Sequence, residues 1–421
     1  QVIDRSVISN DIALVSETLP VIKDDDDLWE CEIKVNKALL ALKHRGGGPV
    51  HLNIPTTYNR SFTTKQLPKF RVIQRITLEE KFPDLPTGKI AIYVGAHQTW
   101  SKELTNTVDL FCELNNAVVF CDHTSNYKGR YRVLFSLAAC QKMFDKTIVS
   151  PDVIIYLGEI TGDYYSIGVI NSQLWRISKD GEIRDTFRKL RFVFEMSELA
   201  FFNYYNQTTK TNKNDYLSIC HAYLYELSNK LPEIPFSNIW VASQLAQSLP
   251  DNSVIHFGIL NSLRSWNFFE IPQAVQSFCN VGGFGIDGGV SSLIGASFNN
   301  PNKLYFGVFG DLAFFYDINS LGNRHIKNNI RILLINNGKG GEFRLGVHSA
   351  FQYDDNADVF ISAAGHFGNK SKNLVKHFAQ DLGFEYISAI SKQEFNNQYL
   401  KFVSPEIDEK PILFEIFTSS E

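Results

Sequence analysis

Short apolar segments that alternate with helical patterns place the strongest constraint on the fold of this chain. The first two, Ile90–Val94 and Ala117–Cys121, flank a stretch with the apolar spacing of a helix that begins near Ser101. Strands that are apolar on both faces and joined by helices are typical of parallel sheets covered on both sides. We therefore predict an α/β fold built from doubly wound parallel sheets. Further strands are expected at 153–157, 254–257, 304–309, 331–335, 386–390 and 412–417.

The same pattern divides the chain of 421 residues into units, as expected for a chain of this length. Two stretches show repeated strand and helix signals, and two polar stretches with little periodicity separate the units. A helix after the acidic run at 24–27 and a short strand precede the first of these linkers. The predicted boundaries are a first unit at 1–55, a linker at 56–88, an α/β domain at 89–205, a linker at 206–215 and a second α/β domain at 216–421.

Charge and cysteine content exclude several classes of protein. The chain has 41 basic and 45 acidic residues, a net charge of −4, so it has no basic excess for binding nucleic acid or an anionic membrane surface. Its six cysteines have no zinc-type spacing, and the sequence contains no apolar run of transmembrane length. We predict a cytoplasmic protein with reduced thiols that binds neither nucleic acid nor a membrane.

Two short polar loops, each directly after a predicted strand, contain the candidate ligand-binding residues. Asp311 follows the strand at 304–309, and Asn337 follows the strand at 331–335. Parallel strands gather their carboxyl ends at one edge, so both oxygen-bearing side chains are expected in one crevice. Hard oxygen ligands suit Mg²⁺ or Ca²⁺, and the glycine-rich backbone at 338–341 offers N–H groups to phosphate. Each motif alone is weak, because a Gly-Asp pair occurs by chance and Asn-Asn-Gly is first of all a turn.

The two motifs together resemble a known signature. Gly-Asp at 310–311, one helix, and then Asn-Asn at 336–337 is similar to the diphosphate-binding motif of thiamine diphosphate-dependent enzymes. Gly-Ile-Asp-Gly at 285–288, Gly-Pro-Val-His-Leu-Asn-Ile-Pro at 48–55 and Gly-Glu-Ile-Thr-Gly at 158–162 resemble segments of one group within them. That group is the 2-succinyl-5-enolpyruvyl-6-hydroxy-3-cyclohexene-1-carboxylate synthases of the menaquinone pathway.

The resemblance implies the cofactors thiamine diphosphate and Mg²⁺. Asp311 and Asn337 would be the side-chain ligands of the metal, with the carbonyl of Lys339 as the third ligand. Ile286 stands where these enzymes place the apolar side chain that bends the cofactor, although a plain core isoleucine is an equal alternative. The remaining residues implied in cofactor binding contribute backbone near the diphosphate: Gly310, Leu312, Ala313 and Gly340.

The resemblance also implies an activity, and two positions depart from the pattern. The implied parent is a 2-oxo acid decarboxylase or carboligase, a transferase or lyase that takes a 2-oxo acid and in some cases an acceptor, as a homodimer or tetramer. Val281 stands where the synthases have an arginine, and a carboxylate-binding fork cannot be replaced by valine. Arg264 lies two places early in its loop and is the candidate substrate-binding residue, with a surface role as the alternative. These departures favour a relative that uses another 2-oxo acid.

The resemblance names the three units as a C-terminal remnant of a pyrimidine-binding domain (1–55), a central domain (89–205) and a diphosphate-binding domain (216–421). We expect the glutamate that activates the cofactor to belong to a part preceding Gln1, so the catalytic residue is unknown. The chain alone is expected to bind the cofactor weakly and not to turn over. Two alternatives stay open: a non-catalytic binding or scaffold module with the same fold, and an unrelated nucleotide-binding α/β protein, although the chain lacks a P-loop and a dinucleotide fingerprint.

Overall fold

The computed structural model shows three groups of parallel strands. The residues that it describes are 12–56, 65–66, 69–163, 166, 172–208, 215–283, 285–346, 348–366, 368 and 370–418. Across these ranges, none of the helices combines the length and apolar character needed to cross a membrane.

The first group is a small β-α-β unit. Strand β1 (Val15–Thr18) pairs in parallel with β2 (Val50–Asn53), and helix α1 (Asp25–Ala41) connects them. The carboxylate of Asp24 caps this helix by accepting hydrogen bonds from the N–H groups of Asp26 and Asp27. The predicted helix after the acidic run and the predicted strand before Pro55 are therefore both present.

The central group is a seven-stranded parallel sheet with buried strands at its middle. Its strands in spatial order are β3 (Gln74–Ile76), β9 (Leu190–Phe194), β8 (Gln173–Ile177), β7 (Val153–Leu157), β4 (Ile90–Val94), β5 (Ala117–Cys121) and β6 (Arg132–Leu134). Every residue of β4, β5 and β7 is buried, as expected for strands covered on both faces. The helices with this sheet are α2 (Lys102–Asn115), α3 (Ser136–Ala139), α4 (Glu198–Thr208) and α5 (Tyr216–Asn229). Separate apolar clusters fill its two faces.

The structure revises two of the predicted boundaries around this sheet. The segment 56–88, predicted as a linker, contributes β3, which pairs with β9 at the sheet edge. Helix α5, which the prediction gave to the last domain, packs Tyr216, Cys220 and Leu227 into the core of the central sheet. Sequence periodicity missed the strand because three residues are too few to show alternation. It misplaced the helix because a polar stretch before a helix does not identify the sheet that the helix covers.

The last group is a six-stranded parallel sheet that carries the predicted site. Its spatial order is β11 (Gln276–Cys279), β10 (Val254–Phe257), β12 (Tyr305–Gly310), β13 (Ile330–Asn336), β15 (Ile412–Phe417) and β14 (Glu385–Ala389). The helices are α6 (Asn238–Leu245), α7 (Asn261–Trp266), α8 (Gly289–Ser297), α9 (Asp311–Tyr316), α10 (Leu374–Asp381) and α11 (Lys392–Phe402). All pairings in the three sheets are parallel among the described strands, so the predicted α/β class of doubly wound parallel sheets is confirmed.

The predicted strands agree with the observed ones to within one residue at each end. The stretch between Asp311 and Asn337 differs more: helix α9 stops at Tyr316, and a 3₁₀ helix at Ile318–Gly322 completes the connection.

Two charged residues of the central strands are fully buried, Arg331 in β13 and Glu415 in β15. Both lie inside the strands rather than at their ends.

Candidate functional site

The six-stranded sheet has a topological switch point between β10 and β12. From β10 the chain moves outward to β11, whereas from β12 it moves in the opposite direction to β13. Loops that leave the carboxyl ends of these strands diverge and open a crevice, which is the usual ligand site in open α/β sheets. A cleft of about 200 Å³ lies at this point. Its walls come from 259–262 after β10, 310–313 after β12, 339–343 after β13, and from Ile286 and Ala363.

Asp311 is the buried carboxylate at the base of this cleft. It is the first residue of α9, directly after β12, and is only 2% exposed. One carboxylate oxygen accepts the N–H of Leu312 at 2.7 Å, and the other accepts the N–H of Gly338 at 2.6 Å. The imidazole Nε2 of His366 lies 3.0 Å from the second oxygen, without the alignment of a hydrogen bond. The two strand ends are thus tied together by the carboxylate that the sequence singled out.

The turn after β13 brings glycine-rich backbone to the same cleft. Gly338 has φ +81°, a left-handed conformation that favours glycine. The side-chain oxygen of Asn337 accepts the N–H of Lys339 at 3.2 Å. The N–H of Gly340 donates to the carbonyl of Ala363 at 2.8 Å, and a Cβ at Gly340 would stand 2.7 Å from that carbonyl oxygen. Position 340 therefore requires glycine because two backbone segments touch there.

The structure brings seven of the eight residues predicted for the cofactor around this one cleft. Ile286 is half-buried on the wall of the cleft and belongs to none of the described core clusters. This position favours a side chain that contacts the cofactor over a plain core isoleucine. Asn337 is the eighth and lies two positions before the lining residue Lys339. The lining seven are Gly310, Asp311, Leu312, Ala313, Lys339, Gly340 and Ile286. Two backbone groups expected at a diphosphate, the N–H groups of Leu312 and Gly340, are already used within the chain.

Arg264 lies directly behind the wall of the cleft and is not a surface residue. It is 5% exposed, and its guanidinium donates to the carboxylate of Glu342 at 2.6 Å, while Glu342 itself lines the cleft. Its Nε also donates to the carbonyl of Gly162 in the central domain at 3.3 Å. Val281, at the position of the expected arginine, is buried in the core of the last domain.

Sequence reasoning missed three side chains that touch this site. His366 contacts Asp311, Glu342 binds Arg264, and Glu415 lies beneath the strand ends. Glu415 accepts hydrogen bonds from the Asn336 amide at 2.7 Å and from the tyrosine hydroxyl of position 386 at 2.8 Å. Burial raises the pKa of Glu415 despite these bonds, and the negative charge of Asp311 adds to the rise. A single charged residue in an otherwise apolar strand was the available signal for Glu415; the other two carried none.

The donor set at the cleft suits a hard divalent cation. Asp311 is almost completely buried, and its only ionic partner among the described residues is His366. A buried carboxylate whose hydrogen bonds come from two neutral backbone N–H groups favours a cation beside it. The Asn337 side chain and the Lys339 carbonyl, in the turn after β13, offer oxygen atoms of the kind that Mg²⁺ takes. In the described part of the chain, no three His, Cys, Asp or Glu side chains cluster to form a metal site of another kind.

The fold and this cleft define a parallel α/β protein with its ligand site at a switch point, the arrangement expected of a thiamine diphosphate-dependent enzyme. Comparison with curated proteins then gives relatives that bear one name, 2-succinyl-5-enolpyruvyl-6-hydroxy-3-cyclohexene-1-carboxylate synthase. The Bacteroides fragilis synthase is 29% identical over 426 residues, which cover 96% of this chain and 74% of the relative. The Phocaeicola vulgatus synthase is 28% identical over 100% of this chain and 76% of the relative.

A third relative shows a higher identity over a shorter stretch. The synthase of Christiangramia forsetii is 35% identical over 188 residues, 45% of this chain and 31% of the relative. No family model matches the chain. The resemblance predicted from the motifs is confirmed: the chain is similar to these synthases over nearly its whole length.

Proposed function

We propose that this chain binds thiamine diphosphate with Mg²⁺ and serves an enzyme that decarboxylates a 2-oxo acid and passes the acyl group to a proton or an acceptor. The observation that carries the proposal is the buried carboxylate of Asp311 at the switch-point cleft, where two strand ends meet. The kinship with synthases of one name supports the same reading. A homodimer or tetramer and a cytoplasmic location stay predictions.

The roles of the chain's own residues follow from their positions. Asp311 and Asn337 would hold the metal through side-chain oxygens, and Lys339 through its carbonyl. Ile286 and Leu312 present apolar surface to the cleft. Thiamine diphosphate, when bound, supplies the electron sink that a 2-oxo acid needs in order to lose CO₂. The N–H groups of Leu312 and Gly340 would reach a diphosphate only after exchanging their present acceptors.

Arg264 is the candidate partner for the substrate carboxylate, and Glu342 occupies it in this structure. Because the carboxylate of Glu342 lines the cleft and binds the guanidinium at 2.6 Å, an incoming carboxylate must compete with it. Replacing Glu342 by Gln removes the competing charge while keeping the side-chain shape. The expected result is tighter 2-oxo acid binding, by roughly tenfold for one charge-assisted hydrogen bond. Weaker binding in the variant would show that Glu342 only positions Arg264.

Calorimetric titration of the chain with thiamine diphosphate tests the cofactor site. Binding is expected with Mg²⁺ present and is expected to be lost on adding a chelator. The Asp311→Ala variant should lose binding, whereas Asp381→Ala should retain it, because Asp381 is an exposed aspartate at the end of α10 in the same domain. Wild-type protein that shows no metal-dependent binding, or an Asp311→Ala variant that binds normally, would sink the proposal.

Release of CO₂ from a panel of 2-oxo acids by the full-length parent protein, since this chain alone is not expected to turn over, tests the reaction separately from the cofactor. Turnover of any panel member, lost in Asp311→Ala, supports the decarboxylase or carboligase assignment. Metal-dependent cofactor binding without turnover of any member would instead support the alternative of a non-catalytic module with this fold.

A further inference from the structure

Glu415 is an acidic side chain enclosed within the last sheet. It lies in the middle of β15, is 1% exposed, and has fully buried neighbours in Phe414 and Ile416. Its hydrogen-bond partners, the side chains of Asn336 and Tyr386, are both neutral, and among the described residues no cationic side chain pairs with it. A buried acid with only neutral partners costs folding free energy that an apolar side chain of similar size does not. Packing of the strand therefore does not by itself explain an acid at this position.

Asn336 connects Glu415 to the turn that carries the proposed metal ligands. It is the last residue of β13, and its amide donates to Oε1 of Glu415 at 2.7 Å. Its backbone carbonyl accepts the N–H of Thr418 at 3.2 Å, so Asn336 is held through both its side chain and its main chain. Two residues further on, the N–H of Gly338 donates to the carboxylate of Asp311 at 2.6 Å. A continuous path of hydrogen bonds and backbone therefore joins Glu415 to the carboxylate in the cleft.

Tyr386 fixes the other oxygen of the same side chain. It lies on β14, the strand at the edge of the sheet, and its hydroxyl donates to Oε2 of Glu415 at 2.8 Å. The register pairs Glu415 with Leu334 of β13 and with Ser388 of β14. Residues two apart on a strand share a face, so Asn336 and Tyr386 reach Glu415 from its two neighbouring strands on one face of the sheet. One acid thus ties three strands together next to the turn.

We propose that Glu415 is a positioning residue for the metal-binding turn at 336–340. By holding the carboxamide of Asn336, it fixes where β13 ends and the turn begins, and so keeps Asn337 and Lys339 beside the cleft. Glu415 does not line the cleft, so it acts through Asn336 and not by touching the metal or the cofactor. The inference rests on the proposed function, because it concerns the same metal site. The alternative is that Glu415 serves only the stability of the sheet.

The affinity of the full chain for Mn²⁺, read from the electron paramagnetic resonance signal of the free ion, tests the positioning role. Glu415→Leu removes both hydrogen bonds and should weaken Mn²⁺ binding about tenfold or more, the usual effect of losing a residue that orients a metal ligand. Glu415→Gln should bind within about threefold of the wild type, because a carboxamide can accept from Asn336 and donate to the hydroxyl of Tyr386. Glu385→Leu is the matched control, since Glu385 is an acid at the amino end of β14 that pairs with Lys401. Its Mn²⁺ affinity should equal that of the wild type.

Hydrogen exchange followed by mass spectrometry measures the turn itself, without any metal. The N–H of Gly338 is bonded to Asp311 and should exchange slowly in the wild type. Glu415→Leu should speed exchange in peptides that cover 336–341 about tenfold or more, whereas Glu415→Gln and Glu385→Leu should leave it unchanged. Urea unfolding of the same variants reports stability alone, so a purely structural role would lower stability without a selective change at the turn.

A milder variant keeps the test decisive if Glu415→Leu does not fold. Tyr386→Phe removes one hydrogen bond at a half-buried position and should weaken Mn²⁺ binding severalfold and speed exchange at the turn. Wild-type Mn²⁺ affinity or wild-type exchange in folded Glu415→Leu, or in Tyr386→Phe where that variant takes its place, would overturn the proposal.

Two other results separate the possible failures. Equal losses in Glu415→Gln and Glu415→Leu would also overturn the proposal, because they would assign the effect to charge and not to the hydrogen bonds. Wild-type protein that binds no Mn²⁺ would instead contradict the proposed function, and exchange at the turn would still decide the role of Glu415.

Discussion

We predict that the contact between His366 and Asp311 limits access of a cation to the proposed metal site. The imidazole Nε2 lies 3.0 Å from a carboxylate oxygen, with the histidine side chain 12% exposed and the aspartate side chain 3% exposed. An ion that uses this oxygen must displace the imidazole. Surface ion pairs contribute up to about 1 kcal/mol, and breaking buried ones costs about 3–5 kcal/mol. This pair lies between those limits, so we take a cost of about 2 kcal/mol, equivalent to roughly thirtyfold in affinity.

The prediction is that His366→Ala binds the metal roughly thirtyfold more tightly than the wild type. Mn²⁺ replaces Mg²⁺ as the probe, because the electron paramagnetic resonance signal of free Mn²⁺ reports binding without any turnover. His325→Ala is the matched control, since His325 is a partly exposed histidine of the same domain that contacts Arg324 and not the cleft. Asp311→Asn should lose most of the binding in either background.

Unchanged Mn²⁺ affinity in His366→Ala would refute the idea that the imidazole competes with the metal. Weaker affinity would be a stronger contradiction, because it would make His366 a ligand or a support of the site. Tighter binding that also occurs in His325→Ala would indicate a general charge effect on the domain rather than release of Asp311.

Three further predictions concern stability, each measured by urea unfolding. Burial raises the pKa of Asp122 to about 6, so the folded state keeps a proton that the unfolded state loses between about pH 4 and 6. The free energy of unfolding therefore falls by about 3 kcal/mol as pH rises through this window. The Asp122→Asn variant should not show this fall. Arg331 is fully buried and donates to three backbone carbonyls and one carboxylate. The Arg331→Met variant should lose about 3–5 kcal/mol of unfolding free energy. Arg324→Met, at an exposed arginine, should lose under about 0.5 kcal/mol. Gly340→Ala puts a Cβ 2.7 Å from the Ala363 carbonyl and should cost about 1–3 kcal/mol.

The parts of the site that lie on consecutive strand ends could be predicted from sequence. Asp311 and Asn337 each follow a run of apolar residues, and parallel strands bring such ends together by necessity. Gly338 in the sequence Asn-Asn-Gly indicated a tight turn, and its positive φ in the structure is consistent with that turn. Local spacing was sufficient for these residues because one helical connection separates them and the sheet fixes the geometry.

Residues that reach the site from distant segments could not be predicted in the same way. His366 lies after a series of short 3₁₀ turns that have no period to follow, so nothing in the sequence placed it on Asp311. The pairing of Arg264 with Glu342 joins residues 78 positions apart, one in helix α7 and one in a short 3₁₀ helix after β13. Strand β3, only three residues long, gave too little pattern to be separated from a linker. In each case tertiary packing, rather than local preference, selects the conformation.

Val281 is uncharged at the position where the synthases have an arginine, so its surroundings bear on which residue supplies positive charge at this site. Its side chain is buried in the core of the last domain, and a Cβ placed at Gly162 of the central domain would lie 3.7 Å from it and 3.0 Å from Leu263. The position thus faces an apolar contact between two domains, where an unpaired arginine would be costly. Under the proposed function, recognition of a substrate carboxylate falls to Arg264, the buried cation behind the cleft wall, whose present partner is Glu342. In that proposal an incoming carboxylate competes with Glu342 for one guanidinium, and the Glu342→Gln variant tests this competition.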